Sequence, residues 1–168
     1  MFLKKFCAVI ALLLLPGFAM ADHIPSPTGQ VILTISGDVT RTNEEGVAKF
    51  DLKMLSDMPA TTFETSTIWT EGTQEFTGVE LNYLVEELGL EGTNLVASAI
   101  NDYHVEIPLS DAKDGGPILA YLRNGDEMPV RNKGPLWLVY PYDSNVEYRT
   151  ETVYSRSICQ LDRIKVVK

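Results

Sequence analysis

Residues able to carry out chemistry are few in this chain. Beyond the first 21 residues it has one cysteine, Cys159, and two histidines, His23 and His104. It has no His-x-x-x-His or Cys-x-x-Cys spacing that would suit a metal, and no glycine-rich phosphate loop. No nucleophile elbow frames a serine. The residue pattern therefore supports no catalytic residue and no set of metal ligands.

Cys159 stands among apolar neighbours, with Ile158 before it and Leu161 two residues on. These neighbours favour a buried, inert thiol that packs as a small hydrophobe over a reactive one. Because Cys7 lies in the N-terminal apolar segment, a mature chain keeps one cysteine and forms no internal disulfide.

The first 21 residues have the pattern of a secretory signal peptide. Lys4 and Lys5 precede an apolar run over residues 6–15, and a small-residue cleavage site follows at residues 19–21. The run is too short for a membrane span, it lacks a twin arginine, and Asp22 rather than cysteine follows the cleavage site. We therefore expect a periplasmic or secreted protein, exported unfolded, without a lipid anchor or membrane insertion.

The chain is acidic, with 23 acidic against 14 basic residues and a net charge of −9. Loss of Lys4 and Lys5 with a signal peptide would bring the net charge to −11. Nucleic acids and anionic membrane surfaces attract basic patches, so neither is an expected partner. The simplest consequence of this charge is solubility.

The clearest local structure lies between residues 59 and 88. Residues 61–70 are rich in Thr, Phe, Ile and Trp and predict a strand, which a turn at residues 71–72 ends. Four apolar residues then recur at the spacing of one helix face, namely Leu81, Leu84, Val85 and Leu88. Gly89 follows directly and predicts the end of that helix.

Other segments predict strands that are joined by turns and short helices. Asp51 can cap a short helix reaching Met58, and Asn124-Gly125 is a strong hairpin signal. Residues 142–154 are polar and predict irregular chain. Strands are expected at residues 31–36, 94–100, 103–109, 117–123, 128–131, 134–141 and 157–167, with extended chain from residue 47.

This pattern of elements indicates an α+β fold of mixed strands with a few short helices. We expect one domain over residues 31–168, which is an ordinary length for a single hydrophobic core. Residues 22–30 contain Pro and Ser and predict a loose N-terminal arm.

A series of short motifs runs through the same segments. It comprises Pro59, Phe76-x-Gly78-Val79-x-Leu81, Asp102-Tyr103, Asn124-Gly125 and Gly134-Pro135-Leu136. From about residue 31 onward the chain resembles the molybdopterin-binding oxidoreductase domain of the sulfite oxidase type. The resemblance implies a mixed α+β fold of mostly antiparallel sheets and a molybdopterin cofactor. It also implies a cysteine near the end of the strand at residues 61–70 that holds molybdenum.

The chain departs from that family where its chemistry should lie. Residues 65–70 contain no cysteine, and Trp137 stands where the family often has arginine after Pro-Leu. A thiolate suits molybdenum, and the cofactor's phosphate needs basic side chains or backbone donors. In this family the cofactor enters before the folded enzyme is exported, which export of an unfolded chain does not permit. We therefore expect no molybdopterin and no metal, with Cys159 a poor substitute ligand.

The resemblance also implies where a pocket would lie if it persists without the cofactor. Its mouth would combine a strand end, a turn and two loops, with the side chains Trp69, Asp102, Tyr103, His104, Arg131, Lys133, Tyr154 and Arg156. Aromatic walls with a few cations suit a small anionic or aromatic ligand. Against this, Trp69 and Trp137 are typical of a core, Arg131 and Lys133 of a solvated loop, and His104 of an exposed strand face.

Three interpretations follow from the residues and the resemblance. The first is an exported, cofactor-free member of the fold that binds or senses a small ligand, with a membrane-bound sensor as its partner. The second is a molybdopterin-dependent oxidoreductase with an unusual metal ligand. The third is a protein-interaction domain without a small ligand. We expect the first of these.

Overall fold

The first sheet is built on strands whose side chains alternate between a buried and a more exposed face. In β1 (Val31–Ser36), Leu33 and Ile35 are fully buried, whereas the other four residues are not. The computed structural model describes residues 23–168. The spatial order of the five strands is β2 (Val47–Asp51), β1, β10 (Leu161–Val167), β5 (Asn94–Ala99) and β6 (His104–Pro108). Adjacent strands are antiparallel except for β1 and β10, which are parallel.

The second sheet is antiparallel throughout its described strands. These are β3 (Ala60–Ser66), β4 (Thr73–Glu80), β7 (Ile118–Arg123), β8 (Asp126–Glu127) and β9 (Trp137–Val139). β4 pairs with both β3 and β7, while β9 and β8 pair with successive parts of β7. The expected α+β fold of mostly antiparallel sheets is confirmed.

A tight turn joins β7 to β8 as the sequence predicts. Asn124 and Gly125 both have positive φ, at 53° and 82°, which is the conformation that such hairpin turns require. The strand expected at residues 128–131 is wrong. Pro129 cannot donate to a ladder, and the chain forms a 3₁₀ turn at Val130–Asn132 instead.

Two predicted helices are present with their expected ends. Helix α1 (Leu52–Ser56) begins after Asp51, whose carboxylate accepts the backbone N–H of Met54 at 2.8 Å. Helix α2 (Leu81–Leu88) buries Leu81, Leu84 and Leu88 and ends at Gly89, which has a φ of 58°.

A third helix, α3 (Glu151–Arg156), lies where the sequence predicted irregular chain. Thr150 caps it by accepting the backbone N–H of Val153 at 3.3 Å. Val153 is its one buried residue, so the segment has no apolar stripe from which the helix could have been recognised.

The N-terminal arm is anchored to the domain, so the prediction of a loose arm is wrong. The N–H groups of Thr28 and Gly29 donate to the Asp51 carboxylate at 2.9 and 2.7 Å, and Ile24 is buried in the core. The signal peptide predicted over residues 1–21 lies outside the described residues. Among residues 23–168, no helix has the length and apolar character needed to span a membrane.

The largest fully buried side chains of the core are aromatic. Trp137, Tyr140 and Tyr142 are each about 1% exposed, and the indole of Trp137 packs edge-on against Phe76 at 5.3 Å between ring centres. The indole N–H donates to the Ser157 carbonyl oxygen at 3.1 Å. The expectation that Trp137 is a core residue is confirmed.

Candidate functional site

Turns from both sheets meet around one cavity. The β3–β4 turn supplies Trp69, the β5–β6 turn supplies Tyr103, and the loop before β9 supplies Lys133. Tyr154 of α3 and the chain entering β10 complete the wall. We name it the aromatic cavity. Its volume of about 280 Å³ is close to the roughly 300 Å³ at which small-molecule sites begin.

The ring of Trp69 contacts two other rings of the aromatic cavity edge to face. Trp69 lies 5.8 Å from Trp137 at 70° and 5.9 Å from Tyr154 at 88°, measured between ring centres. These are edge-to-face contacts, which hold each ring in one orientation. Trp69 is 38% exposed and Trp137 only 1%. Trp69 is thus the outer wall and Trp137 the floor.

The ammonium of Lys133 lies over these two indoles. Its Nζ is 5.0 Å from the ring centre of Trp137 and 5.9 Å from that of Trp69, within the range of a cation–π interaction. Among residues 23–168, no carboxylate comes within ion-pair distance of it. A cation held against aromatic faces without a carboxylate is available to an anionic ligand.

Backbone in the left-handed region is concentrated at this cavity. Asp102, Lys133 and Gln160 have φ values of 66°, 75° and 54°, although none of them is glycine. Gln160 joins the surrounding loops, since its N–H donates to the Lys133 carbonyl at 2.9 Å and its carbonyl accepts the Ile100 N–H at 3.0 Å. Such strained conformations persist where the surroundings fix them, and they are common at binding sites.

Four of the eight residues predicted for the site converge on the aromatic cavity, namely Trp69, Tyr103, Lys133 and Tyr154. Asp102 and His104 lie beside it but do not line it. The Asp102 carboxylate accepts from the Arg163 guanidinium at 2.7 Å, and His104 is exposed at the start of β6. These two side chains therefore lie at the border of the site.

The two predicted arginines do not reach the aromatic cavity. Arg131 is exposed in the 3₁₀ turn, whereas Arg156 donates to Asp111 Oδ2 at 2.9 Å. The same oxygen accepts the hydroxyl of Tyr140 at 2.7 Å. Burial, followed by this bond to Asp111, raises the pKa of Tyr140 and keeps its hydroxyl a donor. Arg156 is consequently held by a structural cluster.

The sequence did not identify several lining residues, which include Asn101, Ser157 and Gln160. Cys159 packs against the core as predicted, but it is only half-buried and also lines the aromatic cavity. It forms an isolated bridge with Trp137, and β10 begins only two residues later. Its apolar neighbours gave no indication of this, because Ile158 is buried while the adjacent backbone turns at Gln160.

Hydroxyl side chains occupy the end of β3, and each is engaged. The buried Thr65 Oγ1 accepts the Asp143 N–H at 3.1 Å, and the N–H and hydroxyl of Ser66 donate to the Asp143 carboxylate at 2.6 and 2.8 Å. The Ser66 N–H is the main cause of a lowered pKa at Asp143. Thr67 pairs with Thr70 at 2.7 Å between their hydroxyl oxygens. These bonds fix the end of the strand.

The comparisons with known proteins give the family. The family model of the oxidoreductase molybdopterin binding domain matches residues 30–146 of this chain. The chain belongs to this family. No curated protein matches the chain.

One solved structure of similar fold is that of the sulfane dehydrogenase SoxCD from Paracoccus pantotrophus. The TM-score is 0.59 at 22% sequence identity, with 80% of this chain and 37% of that chain covered. The chain therefore spans well under half of the length of that protein. The likeness confirms the sulfite oxidase-like fold.

The end of β3 lacks the thiolate that would hold the molybdenum of molybdopterin. Among the described residues no group of three or more His, Cys, Asp or Glu side chains is placed to hold a metal ion. The strand end carries hydroxyls bound to Asp143, and the one thiol near the aromatic cavity belongs to Cys159. Lys133 is the only cation lining this cavity in the described chain, because Arg156 is held by Asp111. Molybdenum takes a soft thiolate ligand, and the end of β3 supplies hydroxyls instead.

Proposed function

We propose that this protein is an exported, cofactor-free member of the molybdopterin-binding oxidoreductase fold that binds a small ligand in the aromatic cavity. The ligand carries an aromatic or apolar body and an anionic group. The observation that carries this proposal is the Lys133 ammonium over the rings of Trp69 and Trp137.

Charge supports an anionic ligand. The protein has a net charge of −9, so an unpaired ammonium in a concave site is unusual for its surface. An entering carboxylate would form a charge-assisted bond with Lys133 where the neighbouring rings exclude part of the water. The half-exposed Trp69 would cover the apolar body of the ligand.

The strand end supports a cofactor-free protein. A molybdenum ligand would have to replace bonds that Thr65 and Ser66 make to Asp143. Export as an unfolded chain, as the N-terminal pattern predicts, would also separate the protein from cofactor insertion. The oxidoreductase alternative therefore needs both a new ligand and a different export route.

A sensing role is supported by apolar side chains that border the aromatic cavity. Ile68, Ile100, Tyr103 and Val130 are between 46% and 63% exposed. Each lies in or next to a loop of the cavity, and Val130 is bound through its carbonyl to Gln160. Under this proposal a membrane-bound sensor contacts these side chains and responds to the ligand. The same surface would serve an interaction domain without a ligand.

Tryptophan fluorescence tests the ligand site directly, because the two tryptophans of the chain both wall it. Benzoate is the probe, and benzamide is its neutral control of nearly the same shape. We expect saturable quenching by benzoate and weaker quenching by benzamide. Equal responses to the two probes, or no saturable response, would refute the proposal.

A further inference from the structure

A second cavity is lined by Tyr121, which lies at an irregularity in β7. In the pairing of β4 with β7 the register passes from Thr77–Leu122 to Gly78–Ala120 and leaves Tyr121 without a partner. On the opposite edge of β7, the pairing with β9 ends at Ala120 and the pairing with β8 begins at Leu122. Tyr121 is therefore the extra residue of a β-bulge, a feature that redirects a side chain.

This bulge requires glycine at position 78 on the neighbouring strand β4, because the two backbones approach closely there. A Cβ atom at Gly78 would lie 2.1 Å from the Leu119 carbonyl oxygen and 2.6 Å from Ala120 Cα. Any side chain there would push the two strands apart, and the bulge would lose its close backbone contact. The position of Tyr121 is thus specified from the neighbouring strand.

The redirected side chain is buried but its hydroxyl is not bonded. Tyr121 is 5% exposed, and within residues 23–168 its hydroxyl has no hydrogen-bond partner. Burial raises the pKa of Tyr121, so the group is a neutral donor. The hydroxyl oxygen itself keeps some exposure, so it is open to the cavity described next, where water or a ligand can accept its hydrogen bond.

Tyr121 lines a cavity of about 370 Å³, which we name the Tyr121 cavity. Its volume exceeds that of the aromatic cavity, and in the described chain the two have no lining residue in common. Its walls come from β1, α1, the loop after β8 and the N-terminal arm. The apolar part of the wall is formed by Ile32, Leu52, Met128 and Pro135.

The charged groups of the Tyr121 cavity disfavour an anion. The carboxylates of Asp51 and Glu127 line it, and Asp51 already accepts three backbone N–H groups. Lys53 also lines it, but its ammonium is bound to Asp57. Asp51 is already satisfied by its backbone donors and Glu127 is exposed to solvent, so neither carboxylate requires a cation. A neutral molecule is therefore the simplest occupant.

We propose that the Tyr121 cavity is a second binding site, for a small neutral molecule with an apolar body and a carbonyl oxygen. The carbonyl accepts the hydrogen bond that the Tyr121 hydroxyl cannot give to the protein, and the body packs against Met128 and Pro135. This site is independent of the aromatic cavity, so either proposal can fail without the other.

Nuclear magnetic resonance of the ¹⁵N-labelled protein tests this site with acetophenone as the probe. Isopropylbenzene has the same outline without the oxygen, and benzoate adds a charge. We expect acetophenone to shift the amide signals of residues 28–30 and 121–128 and to give nuclear Overhauser contacts to the Met128 methyl group. Shifts confined to the aromatic cavity, or equal affinity for the three probes, would overturn the proposal.

Two variants separate the two cavities. Tyr121→Phe removes only the hydroxyl, and we expect it to weaken acetophenone binding about fivefold, the usual effect of one neutral hydrogen bond. Lys133→Met changes the other cavity and should leave acetophenone binding unchanged. If Tyr121→Phe binds acetophenone as the wild type does, the hydroxyl is not the recognition group and the proposal fails. The contacts to Met128 in the wild type test the site even without this variant.

Discussion

The Lys133 ammonium lies 5.0 Å from the ring centre of Trp137, a residue that is almost completely buried. Within the described chain, Lys133 carries the only charge on the wall of the aromatic cavity. Its ammonium contacts the core directly through the ring of Trp137. The left-handed backbone of Lys133 and its bond from Gln160 hold it in this position. Preorganisation of this kind lowers the cost of binding a ligand, because little has to be ordered on association.

Replacement of Lys133 tests the role of its charge. Lys133→Met keeps the length of the side chain but removes the ammonium, and we expect benzoate affinity to fall about tenfold or more. Benzamide affinity should hardly change. Lys133→Arg is the matched control and should retain the preference for benzoate. A Met variant that still prefers benzoate would show that another group recognises the anion. Fluorescence titration measures all three proteins.

The two tryptophans should differ in their effect on stability. Trp137→Ala removes a buried ring and should lower the free energy of unfolding by about 3–5 kcal/mol. Trp69→Ala affects a ring that is 38% exposed, and we expect roughly half that loss or less, together with loss of benzoate binding. Urea unfolding followed by circular dichroism measures both. Similar losses of stability would contradict the assignment of Trp69 as the outer wall.

Two buried tyrosines provide a matched pair for hydroxyl removal. Tyr140→Phe removes a 2.7 Å bond to Asp111, and should cost about 1–3 kcal/mol because Asp111 loses a buried donor. Tyr121→Phe removes a hydroxyl without a protein partner in the described chain, so stability should be unchanged or slightly higher. Thermal unfolding at neutral pH distinguishes them. A large loss for Tyr121→Phe would indicate a structural bond to this hydroxyl.

The ionisation of Asp51 makes the free energy of unfolding depend on pH. The backbone N–H of Met54, followed by those of Gly29 and Thr28, lowers its pKa below the ordinary value of 3.8. Because the folded pKa is the lower one, the contribution is complete above pH 3.8 and is lost as the pH falls through the folded pKa. We expect Asp51→Asn to reduce the free energy of unfolding at neutral pH and to make it depend less on pH in the acid range. If denaturant titrations at several acid pH values gave the variant the same pH dependence of unfolding free energy as the wild type, this role would be excluded.

Local signals predicted those parts of the fold that depend on neighbouring residues. Gly89 ends α2 with positive φ, and Asp51 caps α1 through a bond to a residue three positions on. The hairpin at Asn124 follows from the same conformational freedom. In each case the residues that determine the geometry are adjacent in sequence, so the pattern alone was sufficient.

The candidate site depends on distant residues, and only part of it was predicted. Arg156 was expected at the pocket, but Asp111 holds it across 45 positions of sequence. Cys159 was expected to be buried, but the turn at Gln160 brings it to the cavity wall. Neither contact has a local signal. The resemblance named loops that the structure brings together around one cavity, and long-range pairing decided which side chains face inward.

The most direct test is the molybdenum and pterin content of the protein purified from the cells that naturally make it. We expect well below one molybdenum atom per chain, because the end of β3 offers hydroxyls already bound to Asp143 and no thiol. A stoichiometric content of molybdenum with pterin, one of each per chain, would contradict this expectation and support the oxidoreductase alternative.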